Sequence, residues 1–328
     1  MIASIPPLKY FPVSRNPFEF KAGLRKLPNQ CNKIIATDCV FQIDSQWPDY
    51  RASKLDARRE CIEKYVCQQD LNTSLRALIC GFLLKQLAKE HPQFFQLMHD
   101  KTQARLTCSL SEEKLVFNQQ LELIGVENPQ ATPDYLDGLD ALCCQIQEDL
   151  SISEAGQQSD HIRYLHLCFP NYWSAQEKLG KSFLSAHAPV PSMEKINNKA
   201  PNLVETFVRQ GPFERFTWGL VTDTRLNHHP IAPINCDPTL WVGRQFNIGQ
   251  PKLFMRIERQ ITLPFPEAHA FVFLIRSYHR DVAFFSKEEL TRLRFSLSTM
   301  PEQVLEYKGL LKSKNEILKW LDQLLAAC

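Results

Sequence analysis

The chain has 328 residues, 44% of them apolar and 23% charged, a balance typical of globular proteins with one large or two ordinary domains. Its formal net charge of +2 gives no general basic field for nucleic acid, and no apolar run is long enough to cross a membrane. The first twenty residues are too rich in proline and charge for a signal peptide. We therefore predict a cytoplasmic protein with no nucleic-acid or membrane partner.

The eleven cysteines form no CxxC pair. Several lie in apolar helical patterns, such as Cys80 in "LRALICGFLL" and Cys143 in "LDALCCQIQ", which is typical of small core residues in a reducing compartment. The spacing of the plant-type iron–sulfur cluster is also absent. We expect any such cluster to be carried by another chain.

The first half of the chain has mainly helical patterns. A stripe of apolar residues in "TSLRALICGFLLKQLAKEHPQFF" predicts one helix. The stretch "ATPDYLDGLDALCCQIQEDLSI" predicts another, which begins after Thr132 as N-cap and runs through Leu150. Between them, "ARLTCSLSEEKLVFN" is a candidate hairpin. The pattern predicts a largely helical N-terminal layer over residues 1–150.

The second half changes character. A short helix capped by Ser174 and a helix in "APNLVETFVRQG" precede three strand-like runs, at 213–222, 252–263 and 270–279. Only "PFPEAH" separates the last two runs, so they should pair as antiparallel neighbours. Two helices with possible capping boxes, at Ser286 and Ser313, close the chain. The prediction is an α+β fold with an antiparallel sheet and helices over 151–328, in one integrated domain of 1–328.

His187 lies in the stretch "KLGKSFLSAHAPVPS", just before two prolines. Pro189 and Pro191 restrict the chain, and a residue that precedes proline, here Ala188, is expected to be extended rather than helical. A stiff segment suits a metal ligand and equally suits a packed loop, and both interpretations are open. His228 and His229 are adjacent and should point apart, so they serve one metal poorly.

Each of the three predicted strands carries an arginine among large apolar residues: Arg215, Arg259 and Arg276. Strand alternation puts Arg259 on one face of its strand, and Arg256 and Glu258 on the other. One interpretation is a sheet with a half-solvated polar face. The other is a concave pocket in which arginines bind an anionic group and a carboxylate binds a cation.

The sequence contains none of the motifs HExxH, GxSxG, GxGxxG or a P-loop. A zinc hydrolase, an α/β-hydrolase and a dinucleotide-binding enzyme therefore lack support. Instead, an ordered series of motifs runs along the chain: "IQEDLSI", "LHLCFPNYWSAQEKLGKSFLSAHAPVP", "FERFTWGL", "RIERQITLP", "VFLIRSY" and "EYKG". The series resembles the haem-dependent oxidative N-demethylase family, the haem subunit of bacterial dimethylamine monooxygenases.

The resemblance implies a PAS-like antiparallel sheet that holds haem b. His187, in the "HAPVP" motif, would be the iron ligand. Arg215, Glu258 and Arg259 fall where the family lines its haem and substrate pocket, with Glu258 and Arg215 as catalytic candidates. Arg276 and Trp218 are further candidates for contact with the cofactor.

The resemblance also implies a reaction, in which dioxygen and two electrons convert a small secondary methylamine, such as dimethylamine, into the demethylated amine and formaldehyde. Reductase subunits would deliver the electrons from NADPH through FMN and an iron–sulfur cluster, and tetrahydrofolate could accept the formaldehyde. Two alternatives remain at this point: a haem-based sensor with a PAS-like pocket, and a non-catalytic binding protein.

Overall fold

The protein was studied as a computed structural model, which describes residues 2–20, 23–27, 36–156, 159–191 and 200–327. In this part of the chain, helices pack around two antiparallel sheets, one of seven strands and one of four. The α+β class and the antiparallel sheet predicted from the sequence are confirmed. No helix among the described residues has the length and apolar character needed to cross a membrane.

The larger sheet draws its strands from both halves of the chain, in the order β1-β9-β10-β11-β7-β8-β2. Strands β9, β10 and β11 are the ones predicted from the pattern, and β10 and β11 pair as antiparallel neighbours along their full length. The seven strands are β1 (Arg25–Lys26), β2 (Val66–Gln68), β7 (Asp149–Ala155), β8 (Asp160–His166), β9 (Phe213–Val221), β10 (Phe254–Phe265) and β11 (Ala270–Asp281).

The smaller sheet is a meander in which each strand pairs with the next. Its central pair is the predicted hairpin. The four strands are β3 (Phe95–His99), β4 (Gln103–Cys108), β5 (Lys114–Asn118) and β6 (Leu123–Glu127). The N-terminal layer of residues 1–150 is therefore not largely helical, because this sheet and strands β1 and β2 occupy part of it.

The helices cover the two sheets and close the chain. Ser286 and Glu289 form the predicted capping box at the start of α8. The ten helices are α1 (Trp47–Cys61), α2 (Thr73–Glu90), α3 (Gly138–Cys143), α4 (Ala175–Lys178), α5 (Phe183–His187), α6 (Ala200–Arg209), α7 (Pro238–Trp241), α8 (Lys287–Thr299), α9 (Glu302–Tyr307) and α10 (Lys314–Ala327), counted over the described ranges.

The helix predicted from Thr132 to Leu150 is wrong. Only the six residues of α3 are helical, and their N-cap is Asp137, whose side chain accepts a hydrogen bond from the Asp140 amide. Leu150 lies in strand β7, opposite Leu274 of β11. Both sides of this strand are buried, so its apolar residues do not alternate, and a short buried run cannot be told from a helix by periodicity.

The two largest apolar cores lie against the larger sheet. One is formed by α2, α3, the smaller sheet and parts of β7, β10 and β11. The other packs helices α8, α9 and α10 against side chains of β9, β10 and β11, including Met255, Ile257 and Tyr278. The second core therefore covers the face of β10 that carries Met255 and Ile257. The opposite face of β10 is not part of this core.

Candidate functional site

The side chains on the two faces of the β9–β10–β11 unit differ in how deeply they are buried. Cross-strand register places Thr217 opposite Glu258 and Glu258 opposite Ser277, so these residues share a face. Arg215 and Gln260 are the next facing pair on the same side, and all but Ser277 are half-buried. We call this side the Glu258 face. The residues that alternate with them point the other way, to the face that we call the Arg259 face.

Glu258 is held by neutral donors. Its Oε1 accepts a hydrogen bond from the Asn171 side-chain amide at 3.1 Å, and its Oε2 accepts one from Gln260 Nε2 at 3.0 Å. The Thr217 hydroxyl lies 3.4 Å from Oε2. Arg256 is near, with Nε 3.8 Å from Oε1. Neutral hydrogen-bond donors therefore orient the carboxylate on the sheet, and its ion pair with Arg256 is a long one.

Arg256 is held in place by a chain of hydrogen-bonded polar groups. Its guanidinium donates to the carbonyl oxygens of Leu226 and Phe169 and approaches His228 Nδ1 at 3.1 Å. His228 Nε2 lies 2.9 Å from Asp223 Oδ1. Burial lowers the pKa of His228 to about 4 against the effect of Asp223, so the imidazole is neutral, donates to Asp223 and accepts from Arg256. His228 has no nitrogen left for a metal.

His187 is the last residue of helix α5. The prediction that Ala188 is extended is wrong: it has φ −51° and ψ −35°, a helical conformation. The Val190 amide donates to the His187 carbonyl at 2.9 Å, so a hydrogen-bonded turn carries the chain into the prolines and outweighs the restriction that proline imposes on its predecessor. The histidine is therefore set by a helix end and a turn.

The His187 ring is oriented by its own helix. Nδ1 lies 2.8 Å from the Phe183 carbonyl oxygen, which can only accept, so Nδ1 carries the proton. The ring also packs on Phe183, with centroids 4.3 Å apart. Burial lowers the pKa of the imidazole, and the nearby charges of Arg215 and Lys178 act in the same direction. A neutral ring with a protonated Nδ1 presents the Nε2 lone pair, as in metal-binding histidines.

Arg215 connects His187 with Glu258. Its positive charge acts on the His187 imidazole, and the Glu258 carboxylate acts in turn on Arg215. Burial lowers the pKa of Arg215, and its Nε is buried without a hydrogen-bond partner among the described residues. Strand register places Arg215 next to Glu258 on one face, and the charge of Arg215 reaches the His187 ring, so three residues predicted from the sequence lie in one neighbourhood: His187, Arg215 and Glu258.

The other three predicted residues, Arg259, Arg276 and Trp218, lie on the Arg259 face. Arg259 Nε donates to Glu214 at 2.6 Å, and its other nitrogens donate to the carbonyl oxygens of Cys39 and Val40. These groups occupy the guanidinium of Arg259. Its predicted role in cofactor binding stays a prediction that the geometry does not support.

Arg276 is also occupied by protein groups. It pairs with Asp44 at 3.0 Å, and its guanidinium carbon lies 3.7 Å from the centre of the Tyr50 ring. Trp218 packs at the edge of the core formed with helices α8–α10. For these two residues too, the predicted contact with the cofactor remains without support from the geometry.

Residues near Glu258 also come from the "EYKG" and "FPNYW" motifs, to which the sequence analysis gave no role. Lys308 donates to the Trp218 carbonyl at 2.6 Å, and burial lowers its pKa to about 8 although the Glu258 charge opposes the shift. Tyr307 and Asn171 also lie near Glu258. The presence of these residues in the two motifs was the sequence signal that could have identified them, but only the fold shows which side chains lie near Glu258.

A separate buried group of polar side chains surrounds His166. Its Nε2 lies 3.2 Å from Asp140 Oδ1 and 3.8 Å from Cys144 Sγ, and its Nδ1 lies 3.8 Å from Cys168 Sγ. Asp140 Oδ2 also accepts a hydrogen bond from Arg58 Nη1 at 2.6 Å. Although thiol, imidazole and carboxylate ligands are close enough for a metal, hydrogen bonds account for every one of these groups, so the cluster is explained as part of the core.

Comparison with known families supplies the context for this geometry. The family model described as "haem-dependent oxidative N-demethylase, alpha subunit-like" matches residues 32–318, nearly the whole chain. The chain belongs to this family. The resemblance found in the motifs is thereby confirmed, and the family assigns haem-dependent oxidative demethylation as the general function. The words "alpha subunit" also indicate an oxygenase with more than one kind of subunit.

The Glu258 face fits a flat, largely apolar cofactor with negative groups at its edge. Phe213, Phe273 and Ile275 give it a half-buried apolar surface. Gly219 lies on the same face, and no atom stands within 4 Å of the position that a Cβ would take there. Arg215 adds a positive charge that forms no close ion pair with a carboxylate of the described residues. This combination matches the chemistry of haem, which has an apolar ring and anionic propionates.

Proposed function

We propose that this protein holds haem b on the Glu258 face of a PAS-like sheet, with His187 as the iron ligand, and demethylates a small secondary methylamine. The observation that carries the proposal is the His187 ring, whose Nδ1–H is bonded to the Phe183 carbonyl, while no described residue forms a hydrogen bond with Nε2. A hydrogen bond of this kind fixes the tautomer and raises the basicity of the ligating nitrogen. Arg215 links this ring to Glu258 on the same face.

The proposed reaction consumes R–NH–CH3, dioxygen, two electrons and two protons, and yields R–NH2, formaldehyde and water. Haem, when bound, supplies the reductive activation of dioxygen and the hydroxylation of the N-methyl carbon. The hydroxylated amine then loses formaldehyde when its C–N bond breaks. The protein's part is to bind the amine, orient its methyl group and place charged groups around it.

Glu258 is the proposed amine-binding group. A secondary alkylamine is cationic at neutral pH, and its N–H groups can donate to a carboxylate. Asn171, Thr217 and Gln260 hold that carboxylate on the sheet. These donors are neutral and Arg256 stays 3.8 Å away, so the carboxylate can also accept a hydrogen bond from the ammonium group. Arg215 places donors and a positive charge beside it, where negative charge on the oxygen-derived groups requires stabilisation.

Partner proteins complete the proposed system. We propose that reductase subunits carry FMN and an iron–sulfur cluster and supply electrons from NADPH, and that tetrahydrofolate can accept the formaldehyde. The "alpha subunit" description of the family supports a multi-subunit enzyme. The expected minimal set is this chain, a methylated amine such as dimethylamine, dioxygen and a reductase.

The test begins with the visible spectrum of the purified protein from cells supplied with a haem precursor, with and without reductant and amine. We expect a Soret band that shifts when dimethylamine is added, and formaldehyde formation when a reductase and NADPH are supplied. A spectral shift without formaldehyde would favour a haem-based sensor. A protein that stays colourless after haem reconstitution would contradict the proposal.

A further inference from the structure

Arg244 is wedged between an aromatic ring and a glycine. Its guanidinium carbon lies 3.2 Å from the centre of the Tyr172 ring. Gly309 is also in close contact: a Cβ there would lie 2.6 Å from Arg244 Cδ and 2.8 Å from Nη1. Gly309 also has φ +67°, which favours glycine. Glycine at this position therefore makes the turn after α9 and leaves room for the arginine.

The Tyr172 ring is fixed in its turn. Its hydroxyl donates to the Val242 carbonyl at 2.6 Å, and its ring is stacked on His228 with centroids 5.2 Å apart. His228 belongs to the polar chain that holds Arg256. The position of Arg244 is thus determined by neighbours that are themselves anchored, which is the property expected of a preorganised binding group.

Arg244 has no carboxylate partner among the described residues, where it forms no ion pair within 4 Å, and its Nε is buried without a hydrogen-bond partner. Burial lowers the pKa of the guanidinium, and the groups that act on it most strongly are Tyr172, Tyr307 and Arg256. A partly buried positive charge without a counter-charge costs free energy, and proteins keep such charges where an anion binds.

Arg225 provides a comparison. It also stacks on an aromatic ring, with its guanidinium carbon 4.3 Å from the centre of Trp241. Unlike Arg244, it pairs with Asp223 at 2.8 Å and donates to the Trp241 carbonyl. The two stacked arginines lie on either side of helix α7 in the chain, and of these two only Arg225 has a carboxylate partner among the described residues.

Arg244 lies in the neighbourhood of Glu258, because it stacks on Tyr172, and the preceding residue, Asn171, donates its side-chain amide to Glu258 at 3.1 Å. Lys308, which precedes Gly309, is influenced by the charges of both Glu258 and Arg244, and so is Tyr307. Arg215 is the other guanidinium near Glu258 that lacks a close carboxylate partner in the described part of the chain. Two such groups near one face suit a ligand with two negative groups.

We propose that Arg244 binds a carboxylate of the molecule held on the Glu258 face, and that this carboxylate is a haem propionate. The inference rests on the proposed function, since it requires haem at this face. It assigns to Tyr172 and Gly309 the role of positioning residues, which hold the guanidinium ready before the ligand arrives. Lys308 is not required for the contact.

The test compares two ligands that differ only in their carboxylates. Haem and its dimethyl ester, in which both propionates are esterified, are titrated into the apo form of the full chain, and the Soret band gives the Kd. We expect Arg244→Gln to weaken haem binding by about tenfold to a hundredfold, the usual effect of losing a charge-assisted hydrogen bond, and to leave binding of the ester unchanged. Arg244→Lys should recover part of the loss.

The control is Arg294→Gln, which removes an exposed arginine paired with Asp322 and should leave both Kd values as in the unaltered protein. Gly309→Ala is the second variant, because its methyl group would displace Arg244 without removing it, and it should reproduce the selective loss of haem affinity. Circular dichroism and the melting temperature show whether each variant is folded.

Three results would overturn the inference. Equal losses for haem and the ester would make Arg244 a support of the fold. Unchanged binding of both ligands in Arg244→Gln would mean that the arginine meets no propionate, and that its anion has another source. Failure of the unaltered protein to bind either ligand would overturn the proposed function itself, and the inference with it.

Discussion

Glu258 and Arg259 are adjacent in the chain, and their side chains lie on opposite faces of strand β10. Glu258 faces Thr217 and Ser277 across the neighbouring strands, while Arg259 faces Phe216 and Arg276. Arg259 is buried and bonded to Glu214 and to two carbonyl oxygens, whereas Glu258 is half-buried among neutral donors. In the "RIERQ" motif, Glu258 thus faces the candidate site, and its neighbour Arg259 stabilises the sheet on the opposite face.

His187→Ala is expected to abolish stable haem binding, since it removes the proposed iron ligand. The haem content per chain, measured from the Soret band after identical purification, should fall by more than about tenfold. His161→Ala is the control: His161, in strand β8, also has its Nδ1 at hydrogen-bond distance from a backbone carbonyl, that of Gly180. A normal haem content in His187→Ala would transfer attention to His279, which shares the Glu258 face and whose Nε2 is buried without a described partner.

Glu258→Gln is expected to keep haem and to lose turnover. The amide preserves the shape but removes the charge that would bind the ammonium group, so formaldehyde formation should fall by roughly a hundredfold and the amine-induced spectral shift should weaken. Glu267→Gln, at an exposed position between β10 and β11, should behave like the unaltered protein. Unchanged kinetics of Glu258→Gln would remove this carboxylate from the mechanism.

Arg276→Met tests the Arg259 face. Removing one partner of a buried ion pair leaves Asp44 buried without its counter-charge, which typically costs about 3–5 kcal/mol of the free energy of unfolding. Urea unfolding should show this loss, and protein that remains folded should keep the Soret spectrum of the unaltered chain. Arg294→Met breaks an exposed pair with Asp322 and should cost about 1 kcal/mol or less. A stable Arg276→Met protein with an altered Soret band would instead favour a direct contact with the cofactor.

The stability of the protein is expected to depend on pH through His228. Its pKa is about 4 in the folded protein and about 6.5 in the unfolded chain, so the unfolded state binds more protons between these values. The contribution is complete above pH 6.5 and is lost as the pH falls toward 4, by about 3 kcal/mol in all. Asp223, Arg225, Arg256 and His279 are the charged or titratable groups around it.

The measurement is the free energy of unfolding at pH 7 and pH 4.5 for the unaltered chain and for His228→Gln. Other groups titrate in this interval in both proteins, so the informative quantity is the difference between the two pH dependences. The variant should lose less stability on acidification. Identical pH dependences would mean that His228 is not held neutral by the fold.

Ser286→Ala should remove the capping box of helix α8. The Ser286 hydroxyl accepts from the Glu289 amide and the Glu289 carboxylate accepts from the Ser286 amide, so the variant leaves a helix-end donor without its partner. The expected cost is about 1 kcal/mol, measured by urea unfolding. Ser298→Ala, in the same helix, loses only a bond to the Phe295 carbonyl and should be nearly neutral. A similar loss of unfolding free energy in both variants would mean that the capping box contributes no more than an ordinary side-chain hydrogen bond in this helix.

The sequence predicted the elements whose signals are local. Strands β9, β10 and β11 follow from their apolar runs and from the short connection between the last two, and the Ser286 capping box follows from residue types three positions apart. The motifs also identified the family, and they named His187, Arg215 and Glu258, which the fold brings together. These features depend on neighbours in the chain, so the chain itself carries the information.

Tertiary structure decided the rest. The apolar residues that were predicted to form one helix ending at Leu150 lie instead in a short helix and a strand. The reason is that strand pairing with β11 outweighs the helical periodicity. Ala188 is helical because a hydrogen-bonded turn stabilises it. Arg259 and Arg276 resemble Arg215 in sequence, yet their partners Glu214 and Asp44 come from distant segments and occupy them. Which arginine remains free for a ligand is set by contacts between segments that are far apart in the chain, and no local pattern reports those contacts.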